Sequence, residues 1–190
     1  MSSIEWLTAL GYAEDSAIST RRPILLFFFN PECIGCQQMD AVTYSSQEVV
    51  DFINENLIPL RIEWEKRDSY EKYHAIWTPT FFVLDHHGYE VQRTVGFLEP
   101  NKFIALMHLG IAKVYMTSGE FGAANVHFQR LIERFPESSA VPEAIYFRGV
   151  TQYKQHDDPA QLKLAYEELQ KTYPKNTWAK RAAPYRLIKA

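Results

Sequence analysis

The stretch "PILLFFF", residues 23–29, constrains this chain more than any other. After the proline it runs through six apolar residues without a polar break. A strand with one wet face alternates apolar and polar residues, whereas a strand covered on both faces reads as a continuous apolar run. The run is also far too short to span a bilayer, which takes about 20 residues. It therefore predicts a central strand in a sheet with helices on both faces, an α/β unit. "PECIGC" follows at once, so the strand delivers Cys33 and Cys36, the only two cysteines of the chain, to one end of that sheet.

The neighbouring segments fill in the same unit. "IEWLTALGYAEDSAIST" reads as a short extended piece and then a helix. A helix is expected from the cysteines to about Val42, interrupted at "TYSS", and a second over "SSQEVVDFINENL" with Ser45 or Ser46 as its cap. "IPLRIEW" reads as a strand whose Pro59 suits a strand start or an edge. A short helix is expected over 67–76. "TFFVLD" and "YEVQRTVG" follow as two strands joined at "HHG", with Gly88 in the turn. Pro100 opens a long helix.

The second half is of another kind. Residues 1–104 carry 8 Lys/Arg and 15 Asp/Glu, a net of −7, and residues 105–190 carry 12 and 8, a net of +4. Charge distributed in this way fits two units with different surfaces. The total of −3 gives no reason to expect nucleic acid or a membrane as partner. No strand pattern appears after residue 105, but a repeat does. At a shift of 38 residues, with no gap, Tyr115 falls on Tyr153, Phe128 on Tyr166, Leu131 on Leu169, Phe135 on Tyr173 and Pro136 on Pro174. Ala144, Phe147 and Arg148 likewise fall on Ala182, Tyr185 and Arg186. Each copy reads as a helix, a turn and a second helix, and stacked pairs of this kind bury faces that neither helix buries alone. Tyr115, Phe128 and Tyr166 are expected in that core.

Cys33 and Cys36 are i and i+3, on one face of a helix's first turn. The helix N-terminus offers unpaired N–H groups and partial positive charge, which favour thiolate, the nucleophilic form. The second thiol can then resolve a mixed disulfide formed by the first. Two other readings stay open on this spacing. One is half of a zinc site, completed by histidines such as His74, His86 and His87. The other is a pair of inert packed thiols. "AIWTPTFF" sets Thr78-Pro79 directly before a strand.

Together these residues resemble the thioredoxin family over about 1–108: a buried strand, CxxC, a helix, a second strand, Thr-Pro-Thr, a hairpin with glycine and a closing helix. "CQQMDAVTYSSQEVVDFINENLIPLRI" resembles the branch with a broken helix after the dithiol. The resemblance implies a thioredoxin-like α/β domain with a central mixed sheet flanked by helices. It implies Cys33 as attacking and Cys36 as resolving thiol, Pro79 in cis beside them, and Thr78, Pro79, Ile34 and Gly35 along the path of an extended substrate. No cofactor is implied. Residues 109–190 resemble tetratricopeptide repeats, with Ile111, Ala112, Tyr115, Gly119, Phe121, Ala124, Phe128 and Pro136 at that family's spacing and Asp157 where glycine is usual. Such repeats imply protein partners.

The expected activity is thiol–disulfide exchange on protein disulfides, with the repeats holding a partner or a second copy of the chain. The other expectation is an interaction module with a regulatory or vestigial dithiol. No targeting segment is visible, and the cytoplasm is the expected compartment. The family's buried acid, six residues before the first cysteine, is Phe27 here, and Arg61 falls where its lysine partner stands. Arg61 is expected to turn outward or pair with a carboxylate such as Glu63 or Glu65. Glu32, next to Cys33, is expected to oppose the thiolate, and Phe27→Asp to speed resolution.

Overall fold

A computed structural model describes residues 3–66 and 71–189. The chain forms two compact units, Met1–Ile104 and Ala105–Ala190. The first is built from α1 (Leu10–Thr20), β1 (Ile24–Phe29), α2 (Ile34–Gln38), α3 (Gln47–Asn56), β2 (Ile58–Glu63), β3 (Thr80–Leu84), β4 (Glu90–Val95) and the start of α4 (Pro100–Thr117). Of the helix expected over 67–76, residues 67–70 lie outside the described residues and 71–73 are helical.

The sheet runs β2-β1-β3-β4. β1 is interior, parallel to β2 and antiparallel to β3, and β3 and β4 form the antiparallel hairpin. Ile24 to Phe28 are all fully buried, each contributing about 1.5–3 kcal/mol by leaving water. One face of the strand sets Ile24, Leu26 and Phe28 against Ala13 and Ala17 of α1 and against Leu60, Phe82 and Leu84 of the neighbouring strands. On the other, Phe27 stacks on Phe81 with centroids 5.2 Å apart and meets Tyr44 edge-on at 5.3 Å. The uninterrupted apolar run is thus covered on both sides. Pro59 stands in β2, and the segment before α1 pairs there through the Leu7 N–H to Pro59 O and the Arg61 N–H to Leu7 O.

The hairpin is closed by Asp85, whose Oδ1 accepts the N–H groups of His87 and Tyr89, both at 2.9 Å. Gly88 takes φ 75° there. The helix expected from the cysteines to Val42 is not regular. α2 ends at Gln38, and Met39–Thr43 form a π turn, an inserted wide turn often found near functional sites. Ser46 stands at the N-cap of α3 without a capping side-chain bond, while Ser45 Oγ turns back to Ala41 O and Val42 O.

The second unit is all helical. The latter part of α4 is followed by α5 (Phe121–Arg134), α6 (Val141–His156), α7 (Ala160–Thr172), α8 (Thr177–Ala182) and a 3-10 turn (Ala183–Leu187). The sequence repeat is repeated in the backbone. The Phe135 N–H to Leu131 O bond (3.1 Å) recurs 38 residues on as Tyr173 to Leu169 (2.8 Å), and Ser138 to Phe135 recurs as Asn176 to Tyr173, both 2.9 Å. Gly119 (φ 78°) and Asp157 (φ 53°) take the same left-handed position after α4 and α6, which aspartate tolerates better than most residues. Asp158 then accepts the Ala160 N–H and opens α7. Phe128, Leu131, Ala144, Leu169 and Ala182 are buried in one core, with Tyr115 and Tyr166 packed against it. Trp178, Ala179 and Tyr185 also pack into this core. A polar pair lies inside as well: His108 Nδ1 and His127 Nδ1 are 2.9 Å apart, both rings buried.

Candidate functional site

β1 ends at Phe29, and a short loop brings Cys33 to the N-cap of α2. The Cys33 N–H bonds Asn30 O, and its carbonyl accepts the Gln37 N–H, both at 3.0 Å. The cap leaves Cys33 half-buried while the first turn carries Cys36 inward to 1% exposure. Both thiols are free.

The Thr78-Pro79 bond is cis. It lies directly beside the dithiol, since the Cys33 Sγ–H donates to Thr78 O at 3.3 Å. Gly35 is what allows this approach. A Cβ on Gly35 would stand 2.9 Å from Pro79 Cδ and 3.5 Å from its Cγ, closer than the rigid ring can yield. Gly35→Ala is therefore expected to push the CxxC turn off Thr78-Pro79 and to slow attack by Cys33 roughly ten- to hundredfold. The rate of disulfide exchange, compared with the rate of simple alkylation of Cys33, is the check; equal loss in both would point instead to a general collapse of the turn.

The two thiols differ in acidity. Burial works against ionisation of Cys33, but hydrogen bonds from the Thr78 side chain, from Cys36 and from the Gly35 backbone outweigh it, and the thiol lies below the ordinary cysteine value. Burial pushes the Cys36 thiol up to about 11, and the adjacent Cys33 adds to the rise against a backbone hydrogen bond from Asn30. A low-pKa accessible thiol beside a high-pKa buried one is the asymmetry that divides nucleophile from resolving group.

The structure brings together all six sequence-derived residues, Cys33, Ile34, Gly35, Cys36, Thr78 and Pro79. Ile34 is 73% exposed, and Ile76 and Trp77 just before Thr78 are 79% and 65% exposed. The signal for that apolar rim in the sequence is the Ile76-Trp77 pair directly before Thr78-Pro79. Among the described residues, no three His, Cys, Asp or Glu side chains gather as a metal-holding group.

Arg61 does not pair with Glu63 or Glu65. Its guanidinium lies 5.2 Å from the Phe27 centroid and 3.9 Å from that of Phe29, and it donates twice to Asp40, at 3.0 and 2.8 Å. Arg61 thus pairs with a carboxylate, and side-chain register explains which one: Arg61 is opposite Phe27 across β1–β2, and Asp40, one turn after Cys36, reaches over the same edge. Glu32 is exposed, its N–H held by Asn30 Oδ1.

In sequence, the family described as "Thioredoxin-like domain" matches residues 10–111, more than half of the chain. The chain belongs to this thioredoxin-like family. Among solved structures, a thioredoxin from Thermus thermophilus is similar at 21% identity and TM-score 0.55, over 62% of this chain and 94% of that one. A structure titled "DsbH Oxidoreductase" is similar at 16% identity and TM-score 0.51, over 58% and 85%. At these identities the likeness is one of fold. No curated protein matches the chain in sequence. The thioredoxin-like unit thus accounts for the first half, and among the described residues no helix is long and apolar enough to cross a membrane.

Proposed function

We propose that this protein is a thiol–disulfide oxidoreductase acting on protein disulfides through Cys33 and Cys36. The observation that carries the reading is the pairing of an accessible, acidified Cys33 at a helix N-cap with a buried Cys36 one turn on, against the Thr78-Pro79 loop. Cys33 thiolate attacks one sulfur of the substrate disulfide. The new Cys33–substrate bond forms as the substrate S–S bond breaks, and the departing thiolate takes up a proton. Cys36, once deprotonated, attacks Cys33 Sγ. The Cys33–Cys36 disulfide forms, the second substrate thiol leaves, and two electrons have passed from the protein to the substrate.

Ile34, Ile76 and Trp77 give the substrate an apolar surface beside the nucleophile, and Thr78 and Pro79 line its path. In this reading the helical unit is a tetratricopeptide-like module that holds a partner protein or a second copy of the chain. Its support is the 38-residue repetition of both sequence and turn hydrogen bonds. The compartment of this reading is the cytoplasm, where thiols are kept reduced.

The test is reduction of a model protein disulfide by wild type and by Cys33→Ser. Wild type should turn over with a supplied dithiol reductant, and Cys33→Ser should fall to the rate of the reductant alone. Equal rates would favour an interaction module with a regulatory dithiol.

A further inference from the structure

The family's buried acid is absent from this site, and an aromatic group stands around its place. Phe27 occupies the strand position, with Tyr44 edge-on to its ring. Trp6 and Phe103 pack on Tyr44 at 5.1 and 5.8 Å. At this apolar wall two polar atoms lack a partner, the Arg61 Nε at its edge over Phe27 and the Tyr44 hydroxyl within it. The Tyr44 hydroxyl is buried and has no hydrogen-bond partner, while the residue as a whole is only 9% exposed. Leaving such a group unpaired is costly, and a native protein that keeps one calls for a reason.

Its position relative to the dithiol gives the reason. Cys36, Met39, Thr43 and Tyr44 form the buried face of the segment from α2 through the π turn, while Gln37, Gln38, Asp40, Ala41 and Val42 are exposed. The π turn inserts a residue and so brings Tyr44 round to the face that carries Cys36. Helical side chains lean toward the N-terminus, which aims the phenol back along this face. Burial holds Tyr44 in its neutral, protonated form against the opposing charge of Arg61, and negative charge at Asp40 and at Cys36 adds to that preference. The phenol is therefore a donor, not a base.

We infer that the Tyr44 hydroxyl is the hydrogen-bond donor to the Cys36 sulfur when that sulfur becomes a thiolate, in the place where the family keeps a carboxylate. The inference rests on the exchange chemistry proposed above. In the resting dithiol the hydroxyl makes no hydrogen bond, to Cys36 or to any other group, so the bond forms only as the thiolate draws it in. Before resolution the Cys36 proton passes to solvent or to the substrate thiolate already released by the attack of Cys33, and negative charge appears on Cys36 inside the aromatic wall. The O–H then meets it, the phenol staying protonated throughout, until the pair of electrons is committed to the Cys33–Cys36 bond.

The experiment uses the full chain and a chromogenic aryl disulfide, 5,5′-dithiobis(2-nitrobenzoate), in stopped flow. One thionitrobenzoate is released as Cys33 is attacked and a second as Cys36 resolves the mixed disulfide, so the two steps are read separately. Tyr44→Phe should leave the first step unchanged and slow the second roughly tenfold or more, the range for a hydrogen bond to a charged group. In a Cys33→Ser background, Tyr44→Phe should also move the pH midpoint of Cys36 alkylation upward. The thermal midpoint should hold or rise, because an unpaired buried hydroxyl has been removed. An unchanged second step would overturn the inference, and so would a slowing accompanied by a loss of thermal stability. A first step absent in wild type would instead count against the exchange reading itself.

Discussion

Taking the protein from pH 7 to pH 5 should weaken the helical unit by about 4 kcal/mol, through His108 and His127. Burial, together with the neighbouring His127, Arg130 and Arg134, pushes the His108 imidazole down to about 3. Burial and Arg130 push His127 down to about 4. Both lie below the ordinary histidine value near 6.5, so between that value and about 4 the unfolded chain binds protons that the folded unit refuses. Stability is therefore complete above about 6.5 and is lost as pH falls, at about 1.4 kcal/mol per unit of pH for each ring. Across the Nδ1···Nδ1 contact of 2.9 Å one proton serves both neutral rings, and charging both rings would set two cations together. For a unit of this size the loss corresponds to roughly 15–30 °C in melting temperature. Far-UV melts of the full chain at pH 7, 6 and 5 provide the measurement. Replacing both partners, His108→Leu with His127→Leu, should leave pH 7 stability nearly intact and flatten the dependence. A double variant as acid-sensitive as wild type would remove the pair from the explanation.

Phe27→Asp should destabilise the thioredoxin-like unit by about 4 kcal/mol or more, and this outweighs any help to resolution. The sequence position alone, six residues before Cys33, made it a plausible way to restore the family's base. In the structure Phe27 is fully buried and packs on Trp6, Phe29, Tyr44 and Phe81 with ring centroids 5.9, 5.7, 5.3 and 5.2 Å away. Truncating a buried phenylalanine typically costs about 3–5 kcal/mol, and a carboxylate in the same space adds its desolvation. Chemical denaturation followed by tryptophan fluorescence measures the effect. A loss below about 1 kcal/mol would mean that the Arg61 guanidinium over this ring can receive the new carboxylate.

The fold of the first unit was legible because its signals are local. A continuous apolar run, a cap beside a CxxC, an Asp-His-His-Gly turn and a proline at a helix start each carry their own geometry. The dithiol and the Thr78-Pro79 loop were legible through the family pattern. What stayed hidden depends on register and on a change of helical pitch. Arg61 could be assigned to Asp40 only once the pairing of β1 with β2 was known, since Glu63 and Glu65 are nearer in sequence. Tyr44 looked like part of an interruption, "TYSS", until the π turn returned it to the buried face. The His108–His127 contact crosses two helices, and neither residue lies in a motif. In the second unit the gapless shift of 38 was enough to place the turns, yet it could not say that Trp178 and Tyr185 fold back on their own core.

The short segment before α1 has a consequence for how copies of the protein behave toward one another. β2 is the outer strand on its side of the sheet, and a bare strand edge is a template for accretion by other chains. Here the backbone around Leu7 takes up Pro59 O and supplies an acceptor for the Arg61 N–H, while Pro59 has no N–H to offer. The half-formed extra strand is too short to recruit another beyond itself. The bridge at Leu7 thus occupies the middle of the β2 edge, where the strand of another chain would otherwise pair.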